Sequence, residues 1–194
     1  PRAEWPAGYV FVGPATWAPH PEPPEWLDAI DRPIALVTCS TERQNDAAIV
    51  EAATRALPKE GFSVVATSAA FDPGSLDLAS SPHSRVEQFI DHDAVLERAS
   101  VVVCHGGMGI TQRALSRGVP VVVVPFGRDQ PEVARRVEFA RVGVRLMPGD
   151  LSAESLADAV RAAQSMRSNA EDMARAFART GGATTAADVL EKRA

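Results

Sequence analysis

From residue 33 onward, short unbroken apolar runs alternate with longer stretches whose apolar positions recur every three or four residues. The runs lie at 34–39, 63–67, 86–90, 101–104, 120–125 and 144–146, and valine dominates them. β-Branched residues in short runs without polar alternation predict strands buried on both faces. Residues 45–57 instead place Ile49, Ala52, Ala53, Ala56 and Leu57 on one helical face. Further helices are expected at 93–98, 109–117 and 131–142, the last opening on Pro131, which suits a first helical turn. Two or three amphipathic helices close the chain, at 153–164, 169–179 and 184–193. Ser152, with Ser155 downstream, and Thr184 or Thr185 are the expected N-caps. Residues 72–84, rich in Asp, Pro, Gly and Ser, read as a loop. Strands that each lead into a helix must return by crossovers, so the fold class is α/β, a doubly wound parallel sheet over residues 34–194.

Residues 1–33 break this pattern. They hold eight of the fifteen prolines and all three tryptophans, centred on Pro19-His20-Pro21-Glu22-Pro23-Pro24. Proline at that density excludes helix and central strand, which leaves a Pro-rich arm or interdomain linker. Within it, the apolar run 9–14 is expected to dock as an edge strand, and residues 26–30 to form one helical turn packed on the domain. The chain opens on Pro1-Arg2-Ala3 with no initiator methionine, as expected of a piece of a longer protein.

Composition narrows the partners. The 194 residues are 45% hydrophobic and 23% charged, with net charge −5, and no basic stripe is visible, which argues against nucleic acid as a partner. Aromatic residues make up 6%, with no stacking series for single strands. No apolar run approaches the roughly 18 residues of a membrane span, and no signal peptide is visible, so a cytoplasmic location is expected. Cys39 and Cys104 end apolar runs and read as buried thiols, with a disulfide left open if their strands are neighbours. No second Cys or His lies at zinc-ligand spacing from Cys104-His105, so no metal is expected.

The candidate chemistry sits where strands give way to helices. Val101-Val102-Val103-Cys104 runs into His105-Gly106-Gly107-Met108-Gly109, a glycine turn at the start of a helix. Glycines let backbone approach a ligand closely, and the following helix points unpaired N–H groups at the same place, which suits an anion such as phosphate. Cys39-Ser40-Thr41 and Phe126-Gly127-Arg128-Asp129-Gln130 follow other strands, so all three turns belong on the carboxyl edge of the sheet, where such folds bind ligands. Neither a G-x-G-x-x-G fingerprint nor a Walker A lysine is present.

The run from Cys104 through His105-Gly106-Gly107-Met108-Gly109 to Gly118-Val119-Pro120, and on to Asp129-Gln130, resembles a known signature. It is similar to the nucleotide-sugar motif of the UDP-glucuronosyl/UDP-glucosyl transferase superfamily, GT-B glycosyltransferases, in its bacterial antibiotic and glycolipid branch. The pattern there is H-G-G-x-G-[ST]-x-x-E-A-L-x-x-G-V-P, a strand, then D-Q. The resemblance implies a Rossmann-like carboxyl-terminal half of a GT-B fold, binding a UDP- or dTDP-sugar without a resident cofactor or metal. It implies that His105 and the amides of Gly107, Met108 and Gly109 hold the donor diphosphate, helped by Ser40, Thr41 and Thr111. Asp129 and Gln130 would hydrogen-bond the sugar, while Phe89, Ile90 and His92 would lie by the base and ribose. The partner it implies is an amino-terminal acceptor-binding domain outside this chain.

Two positions depart from the pattern. Arg113 stands where a glutamate holds ribose hydroxyls, and Ile110 where a Ser or Thr helps the phosphate. An arginine cannot accept a hydrogen bond, so Arg113 either pairs with phosphate or points away, and the change hints at a deoxyribose nucleotide (dTDP) or an altered ribose pocket. The leading expectation is the donor-binding half of an inverting glycosyltransferase acting on a small-molecule or lipid acceptor. Its general base would lie outside this chain, so the chain alone would bind donor without transferring it. The alternatives are a non-catalytic nucleotide-binding domain on the same scaffold and a sugar-nucleotide epimerase-like GT-B enzyme.

Overall fold

The computed structural model describes residues 5–16 and 23–192. Six strands carry the architecture: β1 (Ile34–Thr38), β2 (Ser63–Thr67), β3 (Ser84–Glu87), β4 (Ala99–Cys104), β5 (Val121–Val123) and β6 (Gly143–Arg145). They form one parallel sheet in the order β3-β2-β1-β4-β5-β6. The helices are α1 (Ala47–Ala56), α2 (His92–Leu96), α3 (Met108–Ser116), α4 (Gln130–Phe139), α5 (Ala153–Gln164), α6 (Arg167–Thr180) and α7 (Gly182–Glu191).

Alternate side chains of each strand point to opposite faces. Ala35, Val37, Val101 and Val103 therefore meet Ile49, Leu156 and Val160 of α1 and α5 on one side. Leu36, Val102 and Val121 meet Val95, Leu115, Ala134, Val137 and Ala170 of α2, α3, α4 and α6 on the other. Both faces of the sheet are covered, as the unbroken apolar runs required. Among the described residues, no helix is long and apolar enough to cross a membrane.

Several local expectations need correction. Residues 9–14 form no strand: Gly8 and Gly13 adopt φ of 95° and 76°, and two prolines flank the run, so it cannot keep strand geometry. Its Val12 carbonyl instead accepts from the Gly182 N–H at 2.7 Å, tying the arm to α7. The third strand is Ser84–Glu87, short of the expected run to residue 90. Neither Thr184 nor Thr185 caps α7, which starts from Gly181 at φ 80°. A left-handed glycine already turns the chain there, leaving both threonines inside the helix. Ser152 does cap α5, in a reciprocal box with Ser155. The expectations for Pro1-Arg2-Ala3 and for residues 17–22 of the proline cluster lie outside the described residues. Cys39 and Cys104 are buried free thiols, and burial raises the pKa of each.

Helix α2 is only five residues long and is held by polar ties. His92 Nε2 lies 2.9 Å from the Thr67 hydroxyl at the end of β2. Asp93, 3% exposed, faces two guanidinium groups from α3 and its end: Arg113 Nε donates to its Oδ1 at 3.1 Å, and Arg117 stands 2.8 Å from the same oxygen. Burial, with the Arg113 charge beside it, lowers His92 from 6.5 to about 4.

Two predictions follow the packing. A Cβ on Gly143 would sit 2.0 Å from the Val121 carbonyl oxygen and 2.8 Å from Val137 Cγ1. Backbone across a sheet yields little, so Gly143→Ala should lower stability by about 3 kcal/mol in urea unfolding. The second concerns pH. Between 6.5 and about 4 the unfolded chain binds the His92 proton before the folded one does. The contribution of neutral His92 is thus complete above that window and lost as pH falls through it, by on the order of 3 kcal/mol. His92→Gln, which keeps a donor for Thr67, should flatten this part of the stability–pH curve.

Candidate functional site

The strand order reverses between β1 and β4, whose registers bring Thr38 opposite Cys104. From that point α1 leaves toward one face and α3 toward the other. The loops after the two strands therefore part and leave a crevice at the carboxyl edge, the usual ligand position in open α/β sheets.

One wall is the glycine turn after β4. Gly106 adopts φ 95°, and a Cβ there would lie 2.7 Å from Val123 Cγ1, so both backbone angle and space demand glycine. Gly107 is the N-cap of α3, and a Cβ on it would meet His105 Nε2 at 2.6 Å. Gly109 faces open space, with nothing within 4 Å of a Cβ. The Thr111 N–H closes the first turn on the Gly107 carbonyl, which leaves the preceding amides without helical partners. His105 Nε2 lies over the Gly107 backbone, beside those amides at the positive end of α3.

Asp46 organises the opposite wall. This carboxylate is fully buried ahead of α1, and its Oδ2 accepts from the Ser40 N–H at 2.5 Å and from Gln44 Nε2 at 3.4 Å. Ser40 Oγ in turn accepts from the Glu42 N–H, while Thr41 is exposed at the rim. His105 Nδ1 points inward, 3.9 Å from Asp46 Oδ2. Burial lowers the His105 pKa, opposed by Asp46, the Thr38 carbonyl and Asp129.

The loop before α4 closes the third side. Gln130 is buried, and its Oε1 accepts from the amides of Phe126 and Gly127 at 2.8 and 3.1 Å. Its Nε2 donates to Gln44 Oε1 at 2.9 Å, joining this loop to the one after β1. Asp129 is exposed and makes no capping bond, so it is free to face the crevice. Arg128, left-handed at φ 57°, pairs with Glu42 across the mouth, which lowers the Glu42 pKa.

The crevice thus brings together Ser40, Thr41, His105, Gly107, Met108, Gly109 and Asp129, whereas the Gln130 side chain, expected at the sugar, is buried and committed at both ends to Phe126, Gly127 and Gln44. Phe89, 69% exposed, lies beyond the end of β3 with Ile90 after it. Other expected residues are turned elsewhere. The Thr111 hydroxyl donates to the Gly107 carbonyl at 2.9 Å and lies 3.8 Å from Cys104 Sγ, so it serves the turn from inside. His92 is committed to Thr67 and Arg113 to Asp93. Sequence reasoning missed Asp46 and Gln44. An Asp just ahead of a helix is a capping signal, but its use on the Ser40 amide depends on how the loop folds back.

The family model of the erythromycin biosynthesis protein CIII-like C-terminal domain matches residues 64–191. The 4'-demethylrebeccamycin synthase of Lentzea aerocolonigenes is 38% identical over 167 residues, which are 84% of this chain and 39% of that protein. The calicheamicin glycosyltransferase CalG4 superposes with TM-score 0.78 at 28% identity, over 97% of this chain and 49% of its own. The glycosyltransferase VinC, solved in complex with DTDP, superposes with TM-score 0.71 at 25% identity, over 88% of this chain and 45% of its own. The chain therefore spans 39%, 49% and 45% of these three proteins, half their length or less. A parallel six-stranded sheet, a glycine turn at its switch point and these matches together show that the chain belongs to the family of erythromycin biosynthesis protein CIII-like C-terminal domains.

Proposed function

We propose that this chain is the donor-binding half of an inverting glycosyltransferase, holding a nucleotide-diphosphate sugar in the crevice for transfer to a small-molecule or lipid acceptor. The observation that carries the reading is the glycine turn, where His105 Nε2 and the free amides of Gly107, Met108 and Gly109 meet at the start of α3. The amides stabilise the negative charge that builds on a departing nucleoside diphosphate without reorganising as it forms, and His105 joins them once its Nε2 carries a hydrogen. Ser40 and Thr41 approach the phosphates from the other wall. Asp129 serves the sugar hydroxyls, and Gln130 shapes the loop that presents it. Phe89 and Ile90 flank the base.

The nucleoside follows from Arg113. With its guanidinium drawn to Asp93, position 113 offers no acceptor to a ribose 2'-hydroxyl, which favours a thymidine over a uridine nucleotide. VinC, bound to DTDP, supports that choice. The acceptor's general base belongs to an amino-terminal half joined through the arm ending near residue 33, so the chain alone binds without transferring.

Calorimetry with dTDP and UDP tests this. The 194-residue chain should bind dTDP at least as tightly as UDP, and His105→Ala should weaken binding about 10- to 150-fold, the range of a hydrogen bond to a charged group. No binding of either at millimolar concentration overturns the donor-site reading. Clearly tighter UDP overturns the deoxyribose part alone.

A further inference from the structure

Among the described residues, four buried side-chain polar atoms lack a hydrogen-bond partner, and three of them gather at the switch point: Thr38 Oγ1, Asp46 Oδ1 and His105 Nδ1. Unpartnered buried polar atoms are rare because each forgoes its hydration, so three together call for a reason. Asp46 is the most demanding, being a carboxylate with no exposed surface. Its Oδ2 takes the Ser40 N–H, a bond that fixes the wall, yet Oδ1 is left unpartnered.

The ring of His105 completes the picture. Nδ1 faces the Asp46 carboxylate at 3.9 Å, an acceptor with no hydrogen to give, which favours the tautomer with the hydrogen on Nδ1. A neutral ring then has a bare Nε2, an acceptor, aimed into the volume beside Gly107. A bare nitrogen repels a phosphate oxygen. For Nε2 to donate while Nδ1 keeps its hydrogen, the ring must become an imidazolium.

We propose that Asp46 is the positioning residue of the donor site: its carboxylate, 3.9 Å from Nδ1, favours the hydrogen on that nitrogen of His105 and stabilises the imidazolium that forms when Nε2 meets the diphosphate. Donor binding therefore takes up a proton from solvent onto His105 Nε2, and the cation is held between the Asp46 carboxylate and the phosphate. The inference rests on the donor-site reading given above. The groups acting on the ring are Asp46 ahead of α1, Asp129 ahead of α4 and the Thr38 carbonyl of β1, while Arg128 is taken up by Glu42. In the free chain burial keeps the ring neutral at pH 7, so uptake is coupled to binding.

The test is calorimetry of dTDP-glucose and UDP-glucose binding to the 194-residue chain, in buffers of differing ionisation enthalpy. Sugar nucleotides are the right probe because free nucleoside diphosphates end in a phosphate that itself titrates near about pH 6. At about pH 7.5 the wild type should take up close to one proton per donor bound, and its affinity should rise as pH falls toward about 6. Asp46→Asn keeps a carbonyl oxygen for the Ser40 amide and removes the carboxylate charge that stabilises the imidazolium. In this variant proton uptake should fall to near zero and the affinity should lose its pH dependence. Uptake unchanged in Asp46→Asn overturns the role of Asp46. Absence of binding by either donor overturns the donor-site reading, and this inference with it. Should Asp46→Asn not fold, nitrogen-15 spectra of the wild-type His105 ring decide. Both nitrogens protonated in the complex support the inference, and a neutral ring in the complex overturns it.

Discussion

The pairing of β1 with β4 is the constraint on which the rest depends. Both strands are buried on both faces, and their registers bring Thr38 opposite Cys104. Strands so placed cannot slip by a residue without turning every side chain to the wrong face. The ends of the two strands are thereby fixed side by side. The helices that follow them depart to opposite faces, so the connecting loops diverge instead of packing together. An opening is thus a consequence of the topology, and its position is set by the sheet.

Keeping that opening in shape is a task for buried polar groups. Asp46 holds the Ser40 amide from below, and Gln130 holds the amides of Phe126 and Gly127 while reaching across to Gln44. Each bond lies in a region of low dielectric, where a satisfied amide is rigid and a lost one is costly. The exposed Glu42–Arg128 pair spans the same loops, but screened surface pairs contribute little. The walls are therefore fixed by the buried Asp and Gln side chains, while the rim can adapt.

The sheet and helices were legible in the sequence because each depends on its own stretch of residues. Valine at 101–103 and 121–124 can scarcely be anything but buried strand, and Gly106 at a strand-to-helix turn announces close packing. The arm was misread because apolar character at 9–12 suggested a strand, whereas flanking prolines and left-handed glycines decide the backbone. Asp46, Gln44 and the partners of Gln130 were hidden for a different reason. Asp46 reaches Ser40 and Gln130 reaches Phe126 and Gly127 only because each loop folds back on itself, and Gln44 meets Gln130 across 86 residues of sequence. No local pattern records such a meeting.

Position 113 joins these themes. An arginine here would have an unpaired charge on the edge of the core unless something met it, and α2 supplies Asp93, itself only 3% exposed. Arg117 attends the same carboxylate, so two cations of α3 and its end share one buried anion. Removing any one of the three leaves charge poorly matched, so substitutions among them should not be additive in stability. A glutamate at 113 would face Asp93 as a like charge. The presence of Asp93 thus explains why a cation and not an acid stands at 113, and it ties that position to the packing of α2 on α3.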